Sequence, residues 1–249
     1  MNSIDHTDKG HGLPLLSRGN LRDVILLCSA LSSMIFTPTT LEVVLALGFL
    51  GVGSLLHIVT KGQLIRNVVL CRTGVYGMVR HPYYLANYLI DCAISLLSGN
   101  IYLVVLYPFF FFWAYGPTFE KEEAYLASEH GHLFHQHVAG TPQVFPHSGS
   151  IPGWKNLLGG FSLKRITLKE WARTARFWSA MLFVMSIHEV RIEGLQTLYR
   201  GYDLDALLLF GLVVALSATS FLLLAKRNHK LRSALLLNPI ITTEHGREA

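Results

Sequence analysis

The chain has 249 residues, of which 51% are apolar and only 15% charged, with a formal net charge of +5. The apolar residues fall in long blocks rather than at amphipathic spacing, which excludes an ordinary soluble domain and points to a polytopic membrane protein. The basic balance does not imply nucleic acid, because Lys and Arg sit in short loops between apolar blocks, and Cys28, Cys71 and Cys92 are too scattered for a disulfide framework or a zinc site.

Residues 1–20 are polar, carry Asp5 and Asp8 beside Lys9 and Arg18, and precede no small-x-small cleavage site, so they read as a retained cytoplasmic tail. The first apolar block runs from about Leu21 to Phe36 and stops at Thr37-Pro38; the second runs from Leu41 to about Val59, with Glu42 at its start. A third block, Tyr83–Ser98, and a fourth, Ile101–Gly116, are joined only by Gly99-Asn100, which forces an antiparallel helical hairpin. Each of these helices spans roughly 24 Å, a little less than a bilayer core.

After Gly116 the chain stays polar until a fifth block at about Ala175–Val190. Ala139–Gly160, rich in Pro, Gly and Ser, reads as a linker, and Thr167-Leu-Lys-Glu170 as a capping box opening the next helix. A sixth block, about Asp205–Ala225, ends at Lys226-Arg227. The expected fold class is all-α: a polytopic membrane bundle of about six transmembrane helices. Its expected organisation is a tail at 1–20, a core at 21–146, a cytoplasmic linker at 147–174, a helix pair at 175–225 and a second tail at 226–249.

Basic residues set the orientation. With both termini inside, all but Arg191 and Arg200 of the 21 Lys and Arg fall on the cytoplasmic side. The loop between the second and third blocks is then cytoplasmic. It reads Arg72-Thr-Gly-Val-Tyr-Gly-Met-Val-Arg-His-Pro-Tyr-Tyr84, with Pro82 at the first turn of a helix. A helix N-terminus there would hold Arg80 and His81 where free N–H groups favour an anion; the plainer reading is a charged turn that fixes topology. The hairpin returns Phe119-Glu-Lys-Glu-Glu-Ala-Tyr-Leu126 to the same side. Glu122 and Glu123 alone would pass for a solvated helix face, but here they lie opposite the Arg-His-Pro loop.

Together these stretches resemble the integral-membrane methyltransferases that include isoprenylcysteine carboxyl methyltransferase and the phospholipid methyltransferases. The resemblance lies in Gly74-x-Tyr76-x-x-x-Arg80-His81-Pro82-x-Tyr84, the hairpin, Glu122-Glu123-x-x-Leu126, Gly131-x-x-Phe134 and Pro142-x-x-x-Pro146, and covers residues 66–146. It implies an S-adenosylmethionine site in a cytoplasmic pocket and a lipid or other lipophilic acceptor entering from the bilayer. It further implies that Tyr76, His81, Pro82 and Tyr84 wall the cofactor and that Glu122 contacts it. The cofactor's carboxylate suits Arg80, while its ammonium, hydroxyls and sulfonium suit Glu122 or Glu123. Relatives usually carry Phe-Gly-x-x-Tyr-x-x-Tyr where this chain has His130-Gly131-x-x-Phe134-x-x-His137. Prenylcysteine methyltransferases carry an Arg where this chain has Thr118, which puts a prenylcysteine carboxylate in doubt. The fifth and sixth blocks lie outside the resemblance.

The histidines of Glu129-His-Gly-His-Leu-Phe-His-Gln-His137 invite a metal reading, but His57, His81 and His147 are isolated, so no metal is expected. The sequence also admits a non-catalytic membrane scaffold or a nicotinamide-dependent reductase. The Phe109–Phe112 run with Trp113 and Tyr115 reads as lipid-facing bulk and an interfacial belt. On the third helix, Tyr84, Asn87, Asp91, Ser95 and Ser98 recur every three or four residues as one polar stripe, which should face the bundle interior. An acid as deep as Asp91 is paired, protonated or waiting for a cation. The expected catalytic set is Arg80, Glu123 and Asp91, with Asp91 touching the acceptor's polar end and an amine headgroup preferred.

Overall fold

A computed structural model describes residues 20–65, 69–151, 153–194 and 204–237; among these every regular element is helical. Helix α1 (Leu21–Ser33) buries one narrow stripe, Leu21, Ile25, Ser29 and Ser33, spaced four apart. Helix α2 (Thr40–Gln63) opens on a capping box: Thr39 accepts from the Glu42 N–H while the Glu42 carboxylate takes the Thr39 N–H at 2.6 Å. A short turn, α3 (Val75–Met78), leads into α4 (Pro82–Leu97), with Pro82 in the first helical turn.

Helix α4 is the axis of the molecule, and thirteen of its residues are buried. It packs against α1, α2, α5 and α8. Its closest approach is to α2, where a Cβ on Gly53 would lie 2.8 Å from the Ile90 side chain and 3.1 Å from the Ala86 carbonyl; small residues let the two backbones meet. The polar stripe faces inward as expected: Tyr84, Asn87, Asp91, Ser95 and Ser98 are all buried.

Two residues, Gly99 and Asn100, reverse the chain into α5 (Ile101–His130). Gly99 has φ +65°, and a Cβ there would sit 2.6 Å from the Thr37 carbonyl carbon, so both backbone conformation and space call for glycine. The fourth apolar block was expected to end at Gly116, but α5 continues through Pro108 and Pro117 to His130. At 1.5 Å per residue it is about 45 Å long, well beyond a bilayer core, and its polar last third carries Glu122 and Glu123 past the start of α4. A proline removes one backbone hydrogen bond, a loss this helix absorbs without breaking.

Helix α6 (His132–Gly140) follows, then a turn α7 (Trp154–Leu157) inside the expected linker. That linker is anchored at both ends: the Arg80 and His81 N–H groups donate to the Pro142 and Gln143 carbonyls at 2.9 Å, and Arg165 donates to the Gly62, Gln63 and Gly160 carbonyls. Helix α8 (Leu168–Glu193) starts where the Thr167–Glu170 box was expected, but no box forms. The Glu170 carboxylate is buried and accepts from Arg173, one turn on in the same helix, at 2.9 Å, so an i,i+3 pair takes the group that capping would have used. Helix α9 (Leu204–Leu237) packs along α8 through Ser179 with Ser217 and Ser220 with the Ala172 carbonyl, and runs past the expected end at Lys226-Arg227.

Among the described residues, the six long helices alternate in direction. One end of the bundle gathers Ser32, Thr37, Gly99, Asn100, His188 and Arg191: Asn100 donates to Ser32 at 3.1 Å, His188 meets the Leu97 carbonyl at 2.6 Å, and Arg191 donates to Thr37. The other end gathers the starts of α1, α4 and α8 with the last turns of α2 and the polar third of α5. Two of the described helices, α2 and α5, are long and apolar enough to cross a membrane. Phe109, Phe112 and Trp113 stand exposed on α5, as expected for lipid-facing bulk, while Phe111 and Tyr115 turn into the core. The expectations for residues 1–19, the Arg191–Asp203 connection beyond Gly194, and the chain after 237 lie outside the described residues.

Candidate functional site

At the second end of the bundle lies a cavity of about 840 Å³, inside the range of small-molecule sites. Hairpin register builds it. Because α4 and α5 run antiparallel from a two-residue link, the start of α4 is level with residues 115–122 of α5: the Tyr84 ring lies 5.1 Å from Tyr115 and 5.2 Å from Phe119, and its hydroxyl donates to Glu122. The His81 ring stacks near Phe119 at 5.1 Å.

Tyr76, His81, Pro82, Tyr84 and Glu122 all line the cavity, together with Arg80. Two stretches forty residues apart in sequence therefore form one wall. Glu123 stands behind that wall. Its Oε1 accepts from His81 Nε2 at 3.0 Å and Gln143 Nε2 at 3.0 Å, with Arg80 Nη2 at 3.4 Å. Of the expected catalytic set, Glu123 thus orients Arg80 and His81 rather than facing the cavity. Ahead of the helix the Arg80 and His81 N–H groups are taken by the Pro142 and Gln143 carbonyls, and in its first turn the Tyr84 and Leu85 N–H groups are taken by the His81 carbonyl. What remains of the anion-binding expectation is the Arg80 guanidinium, whose buried Nε has no hydrogen-bond partner.

Burial, the largest influence, pushes the His81 imidazole below the ordinary histidine range, against the opposing pulls of Glu123 and Glu122. The ring stands between two acceptors, with Glu123 Oε1 3.0 Å from Nε2 and Glu122 Oε2 3.6 Å from Nδ1. Burial lowers His137 as well, helped by Arg80 and Arg72.

Asp91 does not line the cavity. Of the three states open to so deep an acid, it adopts the paired one: Arg22 Nε donates to Oδ1 at 2.5 Å and the Tyr107 hydroxyl to Oδ2 at 2.9 Å. Arg22 also donates to Asn87 at 3.1 Å and lies 4.4 Å over the Phe177 ring. The amine preference joined a buried acid to Thr118 in place of an arginine, and Arg22 supplies the cation that such an acid would await. Among the described residues no group of three His, Cys, Asp or Glu is placed to hold a metal; His132 and His135 are exposed, while His130 and His137 face the cavity singly.

The opposite wall was not legible in the sequence. Lys61 from α2 and Lys169, Glu170 and Arg173 from α8 complete the cavity, with Arg22 from α1. The signal available was Arg22 itself: a charge inside the first turn of an apolar block is costly unless partnered. Lys61, Lys169 and Arg173 carried no signal beyond topology.

One curated relative bears on this geometry. The chain is 29% identical over 113 residues to a protein-S-isoprenylcysteine O-methyltransferase of Schizosaccharomyces pombe. The match covers 41% of this chain and 48% of the relative, so the chain spans about half the length of the protein it matches. No family model matches, and no solved structure matches. The likeness points to a membrane methyltransferase at the level of class.

Proposed function

We propose that this chain is a six-span integral-membrane methyltransferase that uses S-adenosylmethionine to methylate a lipid or other lipophilic acceptor. One observation carries the reading: the Tyr76–Tyr84 stretch and Glu122, separate in sequence, wall a single cavity of about 840 Å³ at one end of a helical bundle. The lining fits a zwitterionic, aromatic-bearing cofactor. Glu122 offers an acceptor to cationic and hydroxyl groups, Arg80 brings a guanidinium to the lining, and Tyr76, Tyr84 and Phe134 offer ring faces.

S-adenosylmethionine would supply a methyl group already activated on a sulfonium, so the protein's task is alignment. Tyr84 fixes the Glu122 carboxylate through its hydroxyl, and Glu123, itself held by Gln143, fixes the His81 ring from behind. Tyr115 lines the cavity, and Phe119 packs behind it against the His81 and Tyr84 rings. In the proposed topology the cavity, both termini and the Ala139–Gly160 segment face the cytoplasm.

Calorimetry with S-adenosylhomocysteine tests the reading. The purified protein should bind it at micromolar level, and Glu122→Gln, which keeps the shape of the side chain, should weaken binding at least tenfold. Well-folded protein that binds a reduced nicotinamide instead would be a reductase, and one that binds neither ligand a scaffold.

A further inference from the structure

The last turn of α2 is clasped by the 157–165 segment. A Cβ on Gly62 would lie 2.3 Å from the Phe161 ring, so that ring packs directly on the α2 backbone. The Ser162 N–H donates to the Gly62 carbonyl at 3.0 Å, and Arg165 Nη1 donates to the Gly62 and Gln63 carbonyls at 3.1 and 3.3 Å. A helix end leaves its last four carbonyls without intrahelical partners, and this segment satisfies two of them.

Gln63 carries that attachment across to the turn that precedes α4. Its side chain is buried and bonded at both ends: Oε1 accepts from the Val75 N–H at 3.0 Å, and Nε2 donates to the Leu157 carbonyl at 2.7 Å. The partners are one donor and one acceptor, and a neutral amide offers one group of each kind. A carboxylate would set an acceptor against the Leu157 carbonyl, and an apolar side chain would make neither bond. Helix α3 needs the first of them. Its N-cap is Gly74, which has no side chain to cap the turn, so Gln63 caps Val75 from 12 residues back. Gly74 has φ +66°, and a Cβ there would meet the Gln63 amide at 2.4 Å, so glycine is what admits the contact.

Tyr76, the next residue after Val75, lines the cavity, whereas Gln63 does not. Among the described residues, none between His137 and Lys169 lines it either. We propose that Gln63 is a positioning residue for the cofactor: it fixes the turn that presents Tyr76 and couples that turn to the 157–165 segment. The inference rests on the methyltransferase reading and adds to its site a side chain outside residues 66–146, where the motifs lie. Coupling is reciprocal, so a ligand that orders the Tyr76 turn also orders the 157–165 segment.

The test uses the full chain in a neutral detergent, with S-adenosylhomocysteine as probe, calorimetry for affinity and amide hydrogen exchange for coupling. In wild type the ligand should slow exchange in residues 157–165 by about threefold more than in the Leu97–Asn100 turn at the far end of the bundle. Gln63→Met keeps the length of the side chain and neither bond; it should weaken binding by about tenfold and abolish that protection. Gln63→Glu keeps an acceptor for the Val75 N–H and loses the donor to Leu157. It should recover about threefold of the affinity lost in Gln63→Met, while residues 157–165 stay unprotected. Unchanged affinity in Gln63→Met overturns the proposal, and so does equal loss in both variants, which would make Gln63 a packing residue. Absence of protection at 157–165 in wild type also overturns it, a result that stands even where Gln63→Met does not fold. Wild type that binds no S-adenosylhomocysteine sinks the methyltransferase reading and this role together; wild type that binds it no better than Gln63→Met sinks this role alone.

Discussion

Arg22 and Asp91 come together from 69 residues apart, and each explains the other. Asp91 is fully buried, and its carboxylate is met by the Arg22 guanidinium and the Tyr107 hydroxyl. Removing one member of a buried pair strands the other, at a typical cost of about 3–5 kcal/mol. Arg22→Met should therefore destabilise the protein by roughly that amount in reversible denaturation in detergent micelles, and Arg22→Met/Asp91→Leu should recover most of the loss. A double variant no better than the single would mean that Arg22 matters for packing on Phe177 rather than for charge. His81 carries a pH prediction. Its folded-state pKa lies below its unfolded value near 6.5, so on acidification the unfolded chain binds the proton first. The His81 contribution is fully present above about pH 6.5 and is lost as pH falls below that value toward the lowered one. Thermal stability should fall more steeply between pH 7 and 5 in wild type than in His81→Gln; parallel curves would show that His81 takes no part.

The elements show which local signals survive packing. Thr39-Thr-Leu-Glu42 and Thr167-Leu-Lys-Glu170 look alike in sequence, yet only the first forms a capping box, because Glu170 is drawn into Arg173. Thr39→Ala should cost about 1 kcal/mol, the usual value of an N-cap, whereas Thr167→Ala should cost only a few tenths. Equal losses in chemical denaturation would contradict the difference in their hydrogen bonds. The α4–α5 link is stricter. Gly99→Ala forces both a left-handed backbone and a contact of 2.6 Å on the Thr37 carbonyl carbon, so a loss of about 1–3 kcal/mol is expected, with the α1–α2 connection shifted as well. Since that link sets the hairpin register, the same variant should weaken S-adenosylhomocysteine binding although it lies at the far end of the bundle. Helix α5 itself was legible only as far as Gly116. Beyond that point its residues are polar, and α4, α6 and the 141–146 segment, rather than an apolar core, hold the last turns in place.

At the scale of the whole molecule, alternation of the six long helices described places the polar cavity and the basic loops at one end. The proposed topology makes that end cytoplasmic. In a cysteine-free background, a reagent that cannot cross the membrane should label Arg200→Cys from outside and leave Ser150→Cys untouched; the reverse pattern would invert the protein. What the sequence determined by itself was whatever depends on neighbours along the chain. Blocks of apolar residues, a two-residue link and a proline after Arg80-His81 set the helices, the hairpin and the return of Glu122 and Glu123 to the side of the Arg-His-Pro loop. Tertiary structure decided what depends on residues brought together from distant segments. Asp91 is a paired carboxylate because α1 delivers Arg22 to it, and Glu123, behind the cavity wall, is held by Gln143 of the 141–146 segment. The opposite wall of the cavity exists because α8 packs beside α2, bringing Arg173 and Lys61 to one tyrosine. Local pattern fixes which face of a helix is polar; only packing fixes which charges that face meets, because electrostatic and hydrogen-bond energies depend on distances that the chain closes only when it folds.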